Sequence, residues 1–489
     1  MDNRFVNLIK TYVNKDTFAT LANNVLSLIK GPIIMLLIAA YLSENAQGYW
    51  YTFGSLAALS TLADLGFGTL VGQFSAHEFA KLRFDSQMRF EGEEQQIEKM
   101  SSLFKYVIKW AVCVTCIAYP LIMVIGFIVL NTHGGIEIWG IPWTIYILNS
   151  GISFIVSIIL AFFEGCALIN KIQFNKFVSV VVISITSIVF LVLKWELYAM
   201  VIPYVLGNLA NIILLLIVFY RPIAQLSKIK PKQKYNWKHN FLSLIWKYAL
   251  SWASGYLIFQ IYTPLAYLVY DPALAGKVGI TMTLCQACYT IANTFNYVFV
   301  PRINISISER KFTRAQSFMK KGLVVSMGLF VVGASIILFA VGFLVKYISL
   351  FERFLGPIAA SWLLLAWFIQ LPVNVIATYA RAHKQEPYMV YSIISAVISA
   401  TITLITVFTL PIDYLFMGFA ITNVLFVYLF YRKYKKNKEK WAADFICRQD
   451  KELEAEVINE ETLIDLKQNE EDSDNNIKDN NTEKNNENN

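Results

Sequence analysis

Twelve long apolar runs joined by short connections decide what this chain can fold into. They lie at approximately residues 18–42, 48–76, 104–130, 141–163, 174–193, 197–220, 243–268, 274–299, 322–347, 357–380, 388–410 and 414–431. A helix crosses about 30 Å of hydrocarbon with roughly 20 apolar residues, so each run is long enough to span. Backbone N–H and C=O groups in lipid must be satisfied internally, which leaves a helix bundle as the reading. The fold class is therefore an all-α polytopic membrane protein with about twelve transmembrane helices. Only 16% of the 489 residues are charged, against about 25% in soluble domains. Residues 1–16 are polar, so the first run is expected to span rather than to be cleaved as a signal.

Charge sets the expected orientation. The N-terminal tail and the connections on its side hold 22 Lys and Arg, and the opposite connections hold 2, which predicts that both termini are cytoplasmic. The longest outer connection, Asn131–Gly140, has ten residues. That is too little for the outer acceptor domain of a polysaccharide polymerase or ligase.

A basic stretch from Arg221 to Asn240 divides the runs six and six. The organisation read from this is an N-terminal bundle (1–220), a basic cytoplasmic linker lying on the leaflet (221–242), a C-terminal bundle (243–440) and an acidic, Asn-rich disordered tail (441–489). The tail carries 15 acidic and 5 basic residues, so residues 1–440 hold a surplus of +18. In a membrane protein such a surplus serves orientation and attraction to anionic membrane lipids, and no nucleic acid is expected as partner. The two halves echo each other faintly: AYLSENAQGYW from Ala40 resembles LVYDPALAGKV from Leu268, with Gly48 opposite Gly276.

No motif for covalent chemistry is present. The chain lacks a G-x-x-x-x-G-K-[ST] loop and an H-E-x-x-H helix, so it is read as neither an enzyme nor a metalloprotein. Cys113 with Cys116 and Cys285 with Cys288 form C-x-x-C pairs inside apolar helices, where small residues at helix contacts explain them better than zinc or redox chemistry.

Polar residues recur instead at helical spacing. Thr20, Asn23, Ser27 and Lys30 share a face of the first run, and Ser150, Ser153, Ser157 and Glu164 a face of the fourth. The seventh run carries Tyr248, Trp252, Tyr256, Phe259 and Tyr262 with Gln260 beside them. Gln286, Tyr289, Thr290, Asn293 and Tyr297 line the eighth, and Trp367, Gln370, Asn374, Thr378 and Arg381 the tenth. Any single member can be a bond between helices worth about 0.6 kcal/mol. Inward stripes in both halves together predict a hydrated central cavity whose rings and amides suit sugars.

Lys30 and Asp64 stand out because an ionised residue at bilayer depth costs about 2.5–3.5 kcal/mol on insertion scales. Helical side chains lean toward their own N-terminus, so in antiparallel first and second helices the two lean toward each other. Two readings follow: a direct structural pair, or a cavity in which Lys30 meets an anionic substrate group and Asp64 titrates with a coupling cation.

Three stretches, the opening hairpin ending in LADLGFG, SWASGYLIFQIYTPLAYLVYDPALAGKVGITMTL from Ser251 and ARAHKQEPYMVYS from Ala380, resemble bacterial polysaccharide exporters of the O-antigen flippase type. Those belong to the superfamily that also holds multidrug and toxin extrusion proteins and the lipid II flippase. The resemblance implies two six-helix bundles in a V and alternating access. It further implies transport of an undecaprenyl diphosphate-linked oligosaccharide, an O-antigen or capsule repeat unit, to the outer leaflet of the cell inner membrane. No organic cofactor is expected, a proton or Na+ is the expected coupling ion, and a polysaccharide polymerase and chain-length regulator are the expected partners. The cationic lumen usual in that family would here be supplied by Lys30, Arg302 and Arg381, although Arg302 follows Pro301 where a basic residue before the proline is expected. A cation-coupled multidrug exporter is the alternative.

Overall fold

The computed structural model describes residues 30–64, 66–230, 232, 235–237, 241, 254–309, 311–383, 387–439 and 441. Asn23, Ser27 and Trp252 lie outside the described residues. Contacts divide the chain into two compact units, Met1–Val427 and Tyr428–Asn489. In the second, residues 428–439 are helical.

The first unit is almost wholly helical. Its opening elements are α1 (Lys30–Tyr41) and a broken helix made of α2 (Glu44–Ala57), α3 (Ser60–Asp64) and α4 (Phe67–Phe79). Then come α5 (Glu94–Leu130), α6 (Ile136–Gly165), α7 (Ile169–Val192) and α8 (Tyr198–Lys228). After a helical stretch at 254–259 follow α9 (Tyr262–Val269), α10 (Pro272–Ser308), α11 (Phe312–Gly342), α12 (Pro357–Ala382) and α13 (Met389–Thr409).

Among the described residues eight helices are long and apolar enough to cross a membrane, nine if the pair bent by 43° between Asp64 and Phe67 counts as one span. Three of the twelve predicted spans are not among these. The first and seventh run into residues outside the description. The eighth forms the 37-residue α10, but its Thr, Gln and Asn residues make it too polar to qualify. The outer surface is apolar, with Ile117, Ile128, Ile217, Val324 and Phe408 each more than 60% exposed. A surface of that kind is stable only against lipid.

Several helices run further than hydropathy predicts, and they do so at the basic end. α5 begins ten residues before the predicted 104, α8 ends eight residues after 220, and α11 starts ten residues before 322. At 1.5 Å per residue the 37 residues of α5 reach about 55 Å, well beyond the hydrocarbon. Their extensions are charged, so a search for apolar runs misses them.

Two further elements at the basic end escape the sequence. A short hairpin pairs Arg83–Phe84 with Phe90–Glu91 and is clamped to α8 by Gln225, which donates to the Phe90 carbonyl at 2.9 Å and accepts from its N–H at 2.7 Å. The described residues of the linker fold back onto α5. Lys232 pairs with Glu94 at 3.1 Å and with Glu98 at 3.5 Å, and the Trp237 indole donates to Ser102. Trp237 and Phe241 join a core formed by the first-half helices.

The opposite end is where the halves meet. α2 starts at an N-cap, Ser43, whose side chain accepts from the Ala46 N–H, and α10 starts at Asp271, which accepts from the Leu274 N–H at 2.8 Å. Ser43 and Asp271 are equivalent positions of the sequence echo, and five residues on in each helix stands a glycine. At this crossing a Cβ added to Gly276 would lie 2.8 Å from the Gly48 nitrogen, and one added to Gly48 would lie 1.8 Å from the Pro272 carbonyl oxygen. Tyr267 donates its hydroxyl to the Leu130 carbonyl at 2.9 Å, and its own carbonyl lies 2.6 Å from His133 Nε2. One apolar core runs through both halves here, from Phe53, Trp139 and Trp143 to Tyr262, Trp367 and Phe416.

Candidate functional site

Lys30 lines a cavity of about 330 Å³. α2 contributes Trp50 and Tyr51, α6 contributes Tyr146 and α8 contributes Tyr204, while Ser187 of α7 and Thr283 of α10 complete the polar lining. The first half supplies most of the wall, and Thr283, which hydrogen-bonds Tyr51, brings in the second. Among the described residues no acidic side chain pairs with Lys30. Ser187 is fully buried with its hydroxyl unpartnered. A cation facing an aromatic-walled space is the chemistry of an anion site.

Asp64 has different surroundings. The helix breaks after Ala57, and Gly66 takes φ +71°, the left-handed region that favours glycine. Asp64 Oδ1 accepts the Gly68 N–H at 3.4 Å, which caps the restart of α4. The side-chain lean expected of an unbroken second helix therefore does not apply, and the direct Lys30–Asp64 pair is not formed. Asp64 instead lies close enough to the Tyr119 hydroxyl to act on it electrostatically, and Tyr119 hydrogen-bonds Ser60.

Ser60 and Tyr119 line a second cavity of about 300 Å³, together with Ser150, Ser153, Ser157 and Phe154. It shares Tyr146 and Tyr204 with the Lys30 cavity as a common wall, their ring centroids 5.3 Å apart. Tyr146 is braced edge-on by Trp50 at 5.5 Å. Tyr204 is held through its carbonyl by Asn149, whose side-chain oxygen accepts from buried Asn208 at 2.9 Å. The serine stripe predicted on the fourth run thus faces a cavity. Its last member, Glu164, does not line it and pairs with Lys176 at 3.2 Å.

The second-half stripes are placed differently. Asn293 Oδ1 accepts from Asn296 at 3.0 Å and from Asn374 at 3.2 Å, and Asn423 donates to Gln370 at 3.2 Å. These bonds join α10 to α12, and α12 to the helical stretch 417–427, the role a polar residue plays as glue between helices. Trp367 is covered by Phe259, stacked at 5.2 Å, and by Tyr289 at 4.6 Å. Tyr256 and Gln260 are half-buried, and Gln286 is exposed. Arg302 is exposed at the basic end over the rings of Phe299 and Phe318, and Arg381 is exposed at the end of α12. Neither arginine is brought to Lys30's cavity. Cys288 packs against Gly333, where an added Cβ would lie 2.5 Å from its sulfur, a small-residue helix contact.

Sequence reasoning missed Tyr146, Tyr204 and Ser187. Tyr146 stands four residues before Ser150 and extends the serine stripe by one turn, so the spacing held the signal. Tyr204 and Asn208 likewise share a face of the sixth run.

The arrangement of spans defines a polytopic helical membrane fold. More particularly, that fold is similar to the one seen in solved transporters of the MOP superfamily. The chain is similar to an inward-facing multidrug resistance MATE family transporter of that superfamily, with TM-score 0.61 and 11% identity over 87% of this chain and 98% of that one. It is similar to the lipid II flippase MurJ in an inward closed conformation, with TM-score 0.59 and 14% identity over 86% and 87%. Against an outward-facing MATE family transporter the TM-score is 0.53, at 10% identity over 87% and 95%. No family model and no curated protein matches the sequence.

Proposed function

We propose that this protein carries a lipid-linked oligosaccharide, an undecaprenyl diphosphate-linked repeat unit of O-antigen or capsule, from the cytoplasmic to the outer leaflet of a bacterial inner membrane by alternating access. The observation that carries the proposal is Lys30: a cation with no acidic partner among the described residues, facing an aromatic cavity that borders a second, hydroxyl-lined one. A diphosphate entering there would offset the cost of holding Lys30 at membrane depth, and Lys is a good point-charge partner for phosphate. A multidrug exporter taking cations fits less well, since among the described residues neither cavity is lined by a carboxylate. The gradient driving transport would be of protons or Na+, and the natural partners are a polysaccharide polymerase and its chain-length regulator.

Deleting the gene and following polysaccharide and lipid-linked units tests the proposal. Loss of long polysaccharide with accumulation of the unit on the cytoplasmic side is expected. Unchanged polysaccharide with new drug sensitivity would establish the exporter instead.

A further inference from the structure

The cavity beside Lys30's has features of its own. None of its lining residues is charged, in contrast to the Lys30 cavity. Ser150 and Ser157 donate their hydroxyl protons to carbonyls of their own helix, both at 2.7 Å, which leaves the oxygen lone pairs as acceptors toward the space. Among the described residues Ser153 has no protein partner, so its hydroxyl can both donate and accept. The rings of Tyr119, Tyr146, Phe154 and Tyr204 supply flat apolar walls between these hydroxyls. At about 30 Å³ per water its volume equals roughly ten waters, at the lower end of small-ligand pockets of about 300–1,000 Å³.

A neutral space lined by acceptor oxygens and aromatic faces complements a pyranose, whose hydroxyls donate from the rim and whose C–H face is apolar. Resting on the flippase reading, we infer that this cavity is the subsite for the sugar nearest the diphosphate, with Tyr146 and Tyr204 as the partition between carbohydrate and charged group. Lys30 holds the phosphate side. Ser150, Ser153 and Ser157 read the sugar side. The linkage between the two passes the tyrosine pair, so the partition sets the register of the substrate in the pathway.

The test compares binding of undecaprenyl diphosphate without sugar and with one N-acetylglucosamine, galactose or glucose attached, using the full-length protein in lipid nanodiscs. The wild type should bind at least one sugared lipid about tenfold more tightly than the bare one. Ser153→Ala with Ser157→Ala should abolish that preference and leave bare-lipid affinity unchanged, and Ser153→Leu, which fills the space, should do the same. Lys30→Gln should weaken bare and sugared lipids by the same factor. Thermal unfolding of each variant distinguishes lost folding from lost recognition. Equal affinity of the wild type for bare and sugared lipids, or serine variants that weaken both alike, would overturn the subsite and leave the flippase reading standing. A wild type that binds none of the lipids would overturn both.

Discussion

Gly48 and Gly276, equivalent positions of two distant stretches, stand against each other where α2 crosses α10, so close that a Cβ on Gly276 would lie 2.8 Å from the Gly48 nitrogen. A residue that meets its own repeat equivalent is what a two-fold relation between halves requires. The crossing also fixes how closely the helices approach, as small residues do at membrane helix interfaces. Gly48→Ala places its methyl 1.8 Å from a backbone oxygen, which no side-chain rotation relieves. It should therefore destabilise by at least the roughly 1–3 kcal/mol of ordinary overpacking. Thermal unfolding in detergent should show a clear fall in midpoint, whereas Gly31→Ala, with open space at its Cβ, should leave it nearly unchanged.

Lys30 and Asp64 are separate features, so their effects should be independent. The double variant Lys30→Gln with Asp64→Asn should show the sum of the single effects on unfolding free energy, within about 0.5 kcal/mol. Recovery in the double variant would mean that the two form a pair.

Asp64 caps a helix restart through an acceptor oxygen that Asn also has. Asp64→Asn should keep the stability of the wild type, and Asp64→Ala should lose about 1 kcal/mol. Equal losses in denaturant unfolding would show that the charge matters more than the cap.

His383, just past the end of α12, packs against the rings of Phe312 and Tyr379. Burial disfavours its imidazolium and lowers its pKa to about 4. A base with a lowered native pKa binds its proton more readily when unfolded, so between about pH 6.5 and 4 the unfolded state gains protons first. Its contribution to stability is complete above about pH 6.5 and is lost as pH falls toward 4. Midpoints measured across this range should drop less for His383→Gln than for the wild type.

Much of this architecture is legible in the sequence, for definite reasons. Apolar length marks most spans, and the serine stripe of the fourth run marks a cavity wall because its hydroxyls, even when they donate to their own helix, keep acceptor lone pairs that lipid does not satisfy. Other features are hidden because their signals are shared with ordinary helices. The charged extension of α5 looks like loop to a hydropathy scan. Asn293 and Asn374 have the same spacing whether they face water or each other, and only the fold shows that they bond. The break at Ala57 and Gly66 is decisive: Asp64 in an unbroken helix would lean toward Lys30, and two short turns send it elsewhere. The faint echo around Gly48 and Gly276, by contrast, is worth more than its sequence similarity indicates, because caps and glycines at matching positions are geometry and not composition.

In the proposed function Lys30, which has no acidic partner among the described residues, receives the charged part of a lipid-linked sugar. Reconstituting the protein in proteoliposomes and measuring the rate at which fluorescent undecaprenyl diphosphate-oligosaccharide becomes accessible at the opposite leaflet tests it most directly. Protein-dependent flipping is expected, retained by Lys30→Arg and lowered at least tenfold by Lys30→Gln, with both variants folded. Flipping unaffected by Lys30→Gln, or no flipping above protein-free vesicles, would contradict it.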